Sequence, residues 1–126
     1  MSSTPLGPVV HAGETPTEPF PWGSITWLDS QEITGSEVLT FGVVTIEPGQ
    51  GNPEHHHPNC DEILYVMAGS LQHTLASEVF VLNTGDLIHI PQGVRHRAWN
   101  EGSETAKVVV TYNTGRRQVV GEFTKD

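Results

Sequence analysis

The chemistry in this chain is concentrated in residues 49–69, GQGNPEHHHPNCDEILYVMAG, where three consecutive histidines precede a glutamate. His55 and His57 are two residues apart. On a strand that spacing sets both imidazoles on one face, ~7 Å apart at the backbone. Both can then lean onto one ion about 2.0–2.1 Å from each nitrogen. His56 points to the opposite face, so the triplet need not supply three ligands. Glu62 lies five positions after His57, and strict alternation would turn it away from that face. Pro58-Asn59 interrupts the strand, and a turn resets the parity. Glu62 then opens the next strand facing inward, with Leu64 and Val66 on the same side.

A second segment, residues 85–100, reads GDLIHIPQGVRHRAWN. Pro91 and Gly93 make a tight turn, and His96 begins the strand that follows. A strand this distant in sequence can neighbour the first ones in a barrel, and His96 then completes a three-histidine, one-carboxylate set. Four protein ligands leave coordination positions open, where a water or a substrate can bind the ion directly. Imidazole and carboxylate together suit divalent Fe, Mn, Ni, Co, Cu and Zn alike, so the donor set does not choose the metal. Cys60 lies between these ligands and reads as a loop thiol without a role.

The elements that must position these groups are strands. Short runs rich in Val, Ile, Thr and aromatics recur from residue 25 onward, each bounded by Gly, Pro, Asn or Asp. Strands are expected near 24–28, 37–46, 55–57, 62–67, 70–75, 79–82, 87–90, 96–100 and 107–112. No segment carries a helical period over ten or more residues. Many short strands in one domain argue for a closed barrel or jelly roll, which removes exposed edges. Residues 1–24 read as an irregular arm, because Pro5, Pro8, Pro16, Pro19 and Pro21 keep it out of helix and away from central strands. That arm is either a loose terminus or packs Phe20 and Trp22 onto this barrel or a neighbouring copy. Residues 25–126 form the barrel.

Bulk composition bounds the rest. The chain has 126 residues, enough for one domain with one core. Its net charge is −9 with six basic residues, of which Arg95/Arg97 and Arg116/Arg117 are the close pairs. Nucleic acid and anionic membrane surfaces are therefore excluded as expected partners, since both need clustered cations. The single cysteine cannot form an internal disulfide. There is no apolar run near the ~18 residues a membrane span needs. The N-terminus lacks the features of a secretory signal, so the expected location is the cytoplasm.

The two segments share a pattern, Gly49-x5-His55-x-His57-x4-Glu62-x6-Gly69 and Gly85-x5-Pro91-x-Gly93-x2-His96-x3-Asn100. It resembles the two signature motifs of the cupin superfamily, in the compact single-domain form, over roughly residues 37–113. The resemblance implies an all-β, double-stranded β-helix or jelly-roll barrel. It implies one divalent metal bound by the residues matching His55, His57, Glu62 and His96, and often a homodimer. It also places the Leu71, His73, Leu75 face inside the barrel. His73 is then either a satisfied core histidine or a proton-transfer group beside a metal-bound substrate. Tyr112 shares a face with Val108 and Val110, and reads as core packing or as a hydroxyl at the pocket mouth. His89 alternates to the outer face, and Arg95 and Arg97 read as a solvated pair.

Function is then expected to be enzymatic, on a small oxygenated organic substrate that chelates the metal, by isomerase, lyase or cyclase chemistry. Two alternatives stand beside it: an Fe- or Ni-dependent dioxygenase, and a non-catalytic small-molecule binder. Sensor cupins are usually fused to a DNA-binding domain, and no basic helix occurs in these residues, which weighs toward the enzyme.

Overall fold

A computed structural model describes residues 5–121. Among them the strands are β1 (Thr17–Phe20), β2 (Gly23–Asp29), β3 (Thr40–Ile46), β4 (His55–His56), β5 (Glu62–Ala68) and β6 (Leu71–Leu75). They continue with β7 (Glu78–Leu82), β8 (Leu87–Ile90), β9 (Ala98–Trp99), β10 (Ala106–Tyr112) and β11 (Val120–Gly121). A single-turn helix, α1 (Gln31–Thr34), links β2 to β3. A six-stranded sheet in the order β1-β2-β3-β10-β5-β8 faces a three-stranded sheet, β7-β6-β9, and a two-stranded pair, β11-β4. This is the jelly-roll barrel expected from the strand pattern.

Alternation explains which side chains enter the barrel. In β3 and β10, both rich in β-branched residues, every second side chain is buried. Val44 and Ile46 from β3 meet Val108 and Val110 from β10, and β5 adds Leu64 and Val66. Val66 and Val108 have no solvent exposure. Each such side chain stabilises the fold by roughly 1.5–3 kcal/mol relative to an exposed one. The β5–β6 turn relies on Gly69, whose φ of 79° suits glycine and whose Cβ would sit 3.0 Å from the Ala106 backbone.

The N-terminal segment departs from the irregular arm expected over residues 1–24. Thr17–Phe20 pairs with β2 as the edge strand of the large sheet. Pro19 is tolerated there because an edge strand has one side free of ladder bonds. The Phe20 ring stacks on Trp22 at 4.9 Å, and Trp22 joins the core. Residues 115–121 form the other unforeseen element. They strap across the barrel end and pair Val120 and Gly121 with His56 and His55. Among the described residues no helix is long and apolar enough to cross a membrane.

Candidate metal centre

The two histidine segments are joined directly. His55 and His96 form an antiparallel bridge, with His55 N–H donating to the His96 carbonyl at 3.0 Å and the reverse bond at 2.8 Å. Exchange of both bonds makes this a hydrogen-bonded antiparallel pair and fixes the register of the two segments. The Pro91-Gln92-Gly93 turn is tied in as well, since Gly93 N–H donates to the His57 carbonyl at 2.9 Å. Asp61 supports that turn by accepting from Gln92 N–H and His89 Nε2. Asn100 closes the segment, donating to the Ile46 and Glu104 carbonyls and accepting from Gly102 N–H. Asn100 is therefore a fully satisfied structural residue.

His55, His57 and His96 are all buried, and their metal-capable nitrogens lie within 4.8 Å of one another. Alternation holds along 55–57, with His56 turned the other way. Glu62 opens β5 facing inward with Leu64 and Val66, and its Oε1 lies 3.3 Å from both His57 Nε2 and His96 Nε2.

Each ring is held in one tautomer. His55 Nδ1 sits 2.8 Å from the Pro53 carbonyl, His57 Nδ1 2.8 Å from the Gln118 carbonyl and His96 Nδ1 2.9 Å from the Val94 carbonyl. A carbonyl only accepts, so each Nδ1 carries the proton and each Nε2 is left with a bare lone pair. His57 Nε2, His96 Nε2 and Glu62 Oε1 are buried without a hydrogen-bond partner. Acceptors thus face acceptors across a buried centre. Each unsatisfied group costs about 1–3 kcal/mol in such a place, and a cation at their focus removes that cost. The donor set therefore fits a divalent transition ion.

The electrostatics agree. Burial, reinforced by His96, pushes His55 down to about 3, so it is a neutral imidazole at physiological pH. Burial alone would raise the Glu62 carboxyl, but contact with His57 and His96, when those rings carry a proton in place of an ion, outweighs it and holds Glu62 below the usual carboxylate range. Neutral imidazoles and an ionised carboxylate are the forms that bind metal.

The remaining candidates fall into two groups. His73 and Tyr112 line an internal cavity of about 30 Å³ together with His55, Glu62 and His96. The His73 ring lies parallel to His96 with centroids 5.7 Å apart, and its Nδ1 donates to the Thr74 carbonyl at 2.8 Å. Burial lowers His73 to about 4. Tyr112 lies edge-on to His57 at 5.0 Å, and burial, reinforced by the Glu62 charge, raises its hydroxyl well above an ordinary phenol. His89 is exposed and paired with Asp61, and Arg95 with Glu54 at 3.2 Å. Arg97 stacks on Trp99. Cys60 is buried, and burial pushes its thiol up to about 11, away from reactivity. The groups that sequence reasoning missed are backbone carbonyls, above all that of Gln118. Side-chain type gives no signal for these.

Residues 42–112, more than half of the chain, match the cupin domain family. Polyketide synthase CurC of Streptomyces cyaneus is 38% identical over 87 residues, covering 69% of this chain and 56% of that protein. Oxalate oxidase GF-2.8 of Triticum aestivum is 33% identical over 123 residues, covering 89% of this chain and 54% of that protein. The chain therefore spans just over half the length of these relatives. Among solved structures, oxalate decarboxylase of Lactobacillus farciminis in its formate complex matches with a TM-score of 0.82 at 20% identity, over 89% of this chain and 35% of that one. Bacillus subtilis oxalate decarboxylase, described with Mn(II) centres, matches with a TM-score of 0.80 at 24% identity, over 86% of this chain and 30% of that one. Fold, motifs and buried histidine cluster agree with the matched residues: this chain belongs to the cupin domain family.

Proposed function

We propose that this chain is a metal-dependent enzyme. In this reading His55, His57, His96 and Glu62 hold one divalent transition ion, and a small oxygenated organic substrate is isomerised, cleaved by a lyase step or cyclised beside it. The observation that carries this reading is the focus of bare, buried acceptor atoms: two imidazole Nε2 atoms and a carboxylate oxygen without hydrogen-bond partners. A bound divalent ion supplies a Lewis acid that polarises a substrate oxygen.

The other residues have assignable tasks. Tyr112, kept a neutral phenol by burial and by the Glu62 charge, is in the form that can donate to that carboxylate. His73 keeps its Nδ1 proton on the Thr74 carbonyl, so its Nε2 is the group that accepts a proton from substrate. Val108, Val110 and Leu64 keep the cavity apolar and limit water.

The test uses protein prepared without a His-tag and assayed against keto acids, uronates, phenols and nitriles. Turnover that is lost on chelation and in His96→Ala, with the fold retained, supports the enzyme. Metal-loaded protein that binds members of the panel but turns over none would leave a binding cupin instead. A dioxygenase is the second reading, favoured by the size of the cavity. About 30 Å³ holds roughly two water-sized groups, and dioxygen is of that size. Oxygen uptake with Fe(II) but not with Zn(II) would select it.

A further inference from the structure

A second and much larger recess lies outside the barrel, an open groove of about 830 Å³ whose lining includes Trp27, Ile33, Thr40, Arg116 and Arg117. Trp27 also lines the internal cavity, so it stands at the border of the two. The indole has a dedicated seat. Gly42 stands opposite Trp27 across β2 and β3, and a Cβ there would lie 2.6 Å from the ring. On the groove side the Arg117 guanidinium lies over Trp27 at 4.4 Å and over Tyr112 at 5.3 Å.

We propose that Arg117 binds the carboxylate of an organic monocarboxylate substrate in this groove, beside the metal cavity. The inference rests on the metal-centre reading for what happens at the other end of that substrate. The cavity admits only a few atoms, so the body of any larger molecule must lie outside it. Among the described residues Arg117 makes no ion pair and no side-chain hydrogen bond, so its donors are available. A guanidinium seated over an aromatic face keeps its N–H fork for bidentate binding of a carboxylate.

The backbone at this position is also fixed. Asn59 donates from Nδ2 to the Arg116 carbonyl and accepts from Gln118 N–H, both at 2.9 Å, clamping residue 117 from either side. The next carbonyl along, that of Gln118, is the one that orients His57. Glu32 lines the same groove and disfavours a second negative charge beside Arg117. The groove therefore selects a single carboxylate over a phosphate dianion or a dicarboxylate.

The experiment titrates the full chain, chelator-treated and Zn(II)-loaded, with acetate, benzoate and phenylacetate, with benzamide and inorganic phosphate as controls. Calorimetry gives the affinity, and tryptophan fluorescence reports the environment of Trp27. At least one monocarboxylate should bind in both preparations, at least tenfold more tightly than benzamide or phosphate. R117Q should weaken it at least tenfold, R117K should recover part of the loss, and K107Q, which removes an exposed charge on β10 outside the groove, should match the native protein. Circular dichroism establishes that each variant is folded. Equal binding by R117Q, tighter binding of phosphate, or no binding by any of the three carboxylates overturns the proposal. Binding in the chelated protein makes this result independent of the metal. A chain that binds carboxylates but retains no metal would sink the metal-centre reading and leave Arg117 standing.

Discussion

Trp27 stands at the border of two recesses of opposite character. Inside is a cavity of about 30 Å³ walled by imidazoles, a carboxylate and apolar side chains. Outside is an open groove of about 830 Å³ carrying charges of both signs. The inner groups are held by backbone: three Nδ1 atoms on three carbonyls, a histidine–histidine bridge and a glutamate at the first position of a strand. The outer groups sit on a strap and an edge. In the proposed enzyme the contrast would assign reactivity and selectivity to different parts of this barrel, the interior setting what can be done and the exposed rim to what.

The largest effect should come from breaking the interior. Glu62→Gln removes the one anionic donor that faces the three imidazoles among the described residues, and metal affinity should fall at least about a hundredfold, because changes one layer further out already cost 10–100-fold. Isothermal titration with Zn(II) measures it, and an affinity within tenfold of the native value would contradict the assignment.

Acid is a second way to break the interior while sparing the groove. His55 at about 3 and His73 at about 4 titrate below the ~6.5 of an unfolded histidine. Between those values the unfolded chain takes up protons that the folded chain refuses. Stability of the chelated protein should therefore be highest above pH 6.5 and fall as pH drops toward 4, by at most ~1.4 kcal/mol per pH unit for each residue. The lowered carboxyl of Glu62 pulls in the same direction at still lower pH. Denaturant midpoints from pH 7 to 4 give the slope, and a flat profile would show that these histidines are not buried.

Gly42→Ala attacks the border itself. The added methyl would meet the Trp27 ring at 2.6 Å, and overpacking of this kind costs about 1–3 kcal/mol. Thermal unfolding should show that loss together with a shifted tryptophan emission, while Zn(II) affinity changes little. Unchanged emission would mean that Gly42 does not seat the indole.

The smallest effect joins the two regions. Asn59→Ala releases the clamp on residues 116–118 and with it the Gln118 carbonyl that orients His57. About 1 kcal/mol of stability and a few-fold to tenfold of metal affinity should go. A variant with native metal affinity would uncouple the strap from the interior.

How much of this could be read beforehand follows from the range of each interaction. His55 and His57 share a face because strand alternation is a local rule, and Glu62 regains that face because the Pro58-Asn59 turn is local too. His96 meets them through a long-range bridge, which the resemblance to a known pattern supplied and periodicity did not. Thr17–Phe20 was hidden by Pro19, which signals irregularity everywhere except on an edge strand. Arg117 and Gln118 were invisible for another reason. Residues 115–119 carry no period, and the Gln118 group that matters is a carbonyl common to every residue. Arg117 stood out only as half of a basic pair, and its place over Trp27 depends on a strap that returns from the far end of the chain.

The central claim is that the interior binds a metal ion, and elemental analysis tests it most directly. Protein purified without added metal or a His-tag should retain roughly one divalent transition ion per chain, and His96→Ala and Glu62→Gln should retain essentially none. Native protein that carries no stoichiometric metal and takes up none on dialysis against Mn(II), Fe(II), Ni(II) or Zn(II) would contradict the account.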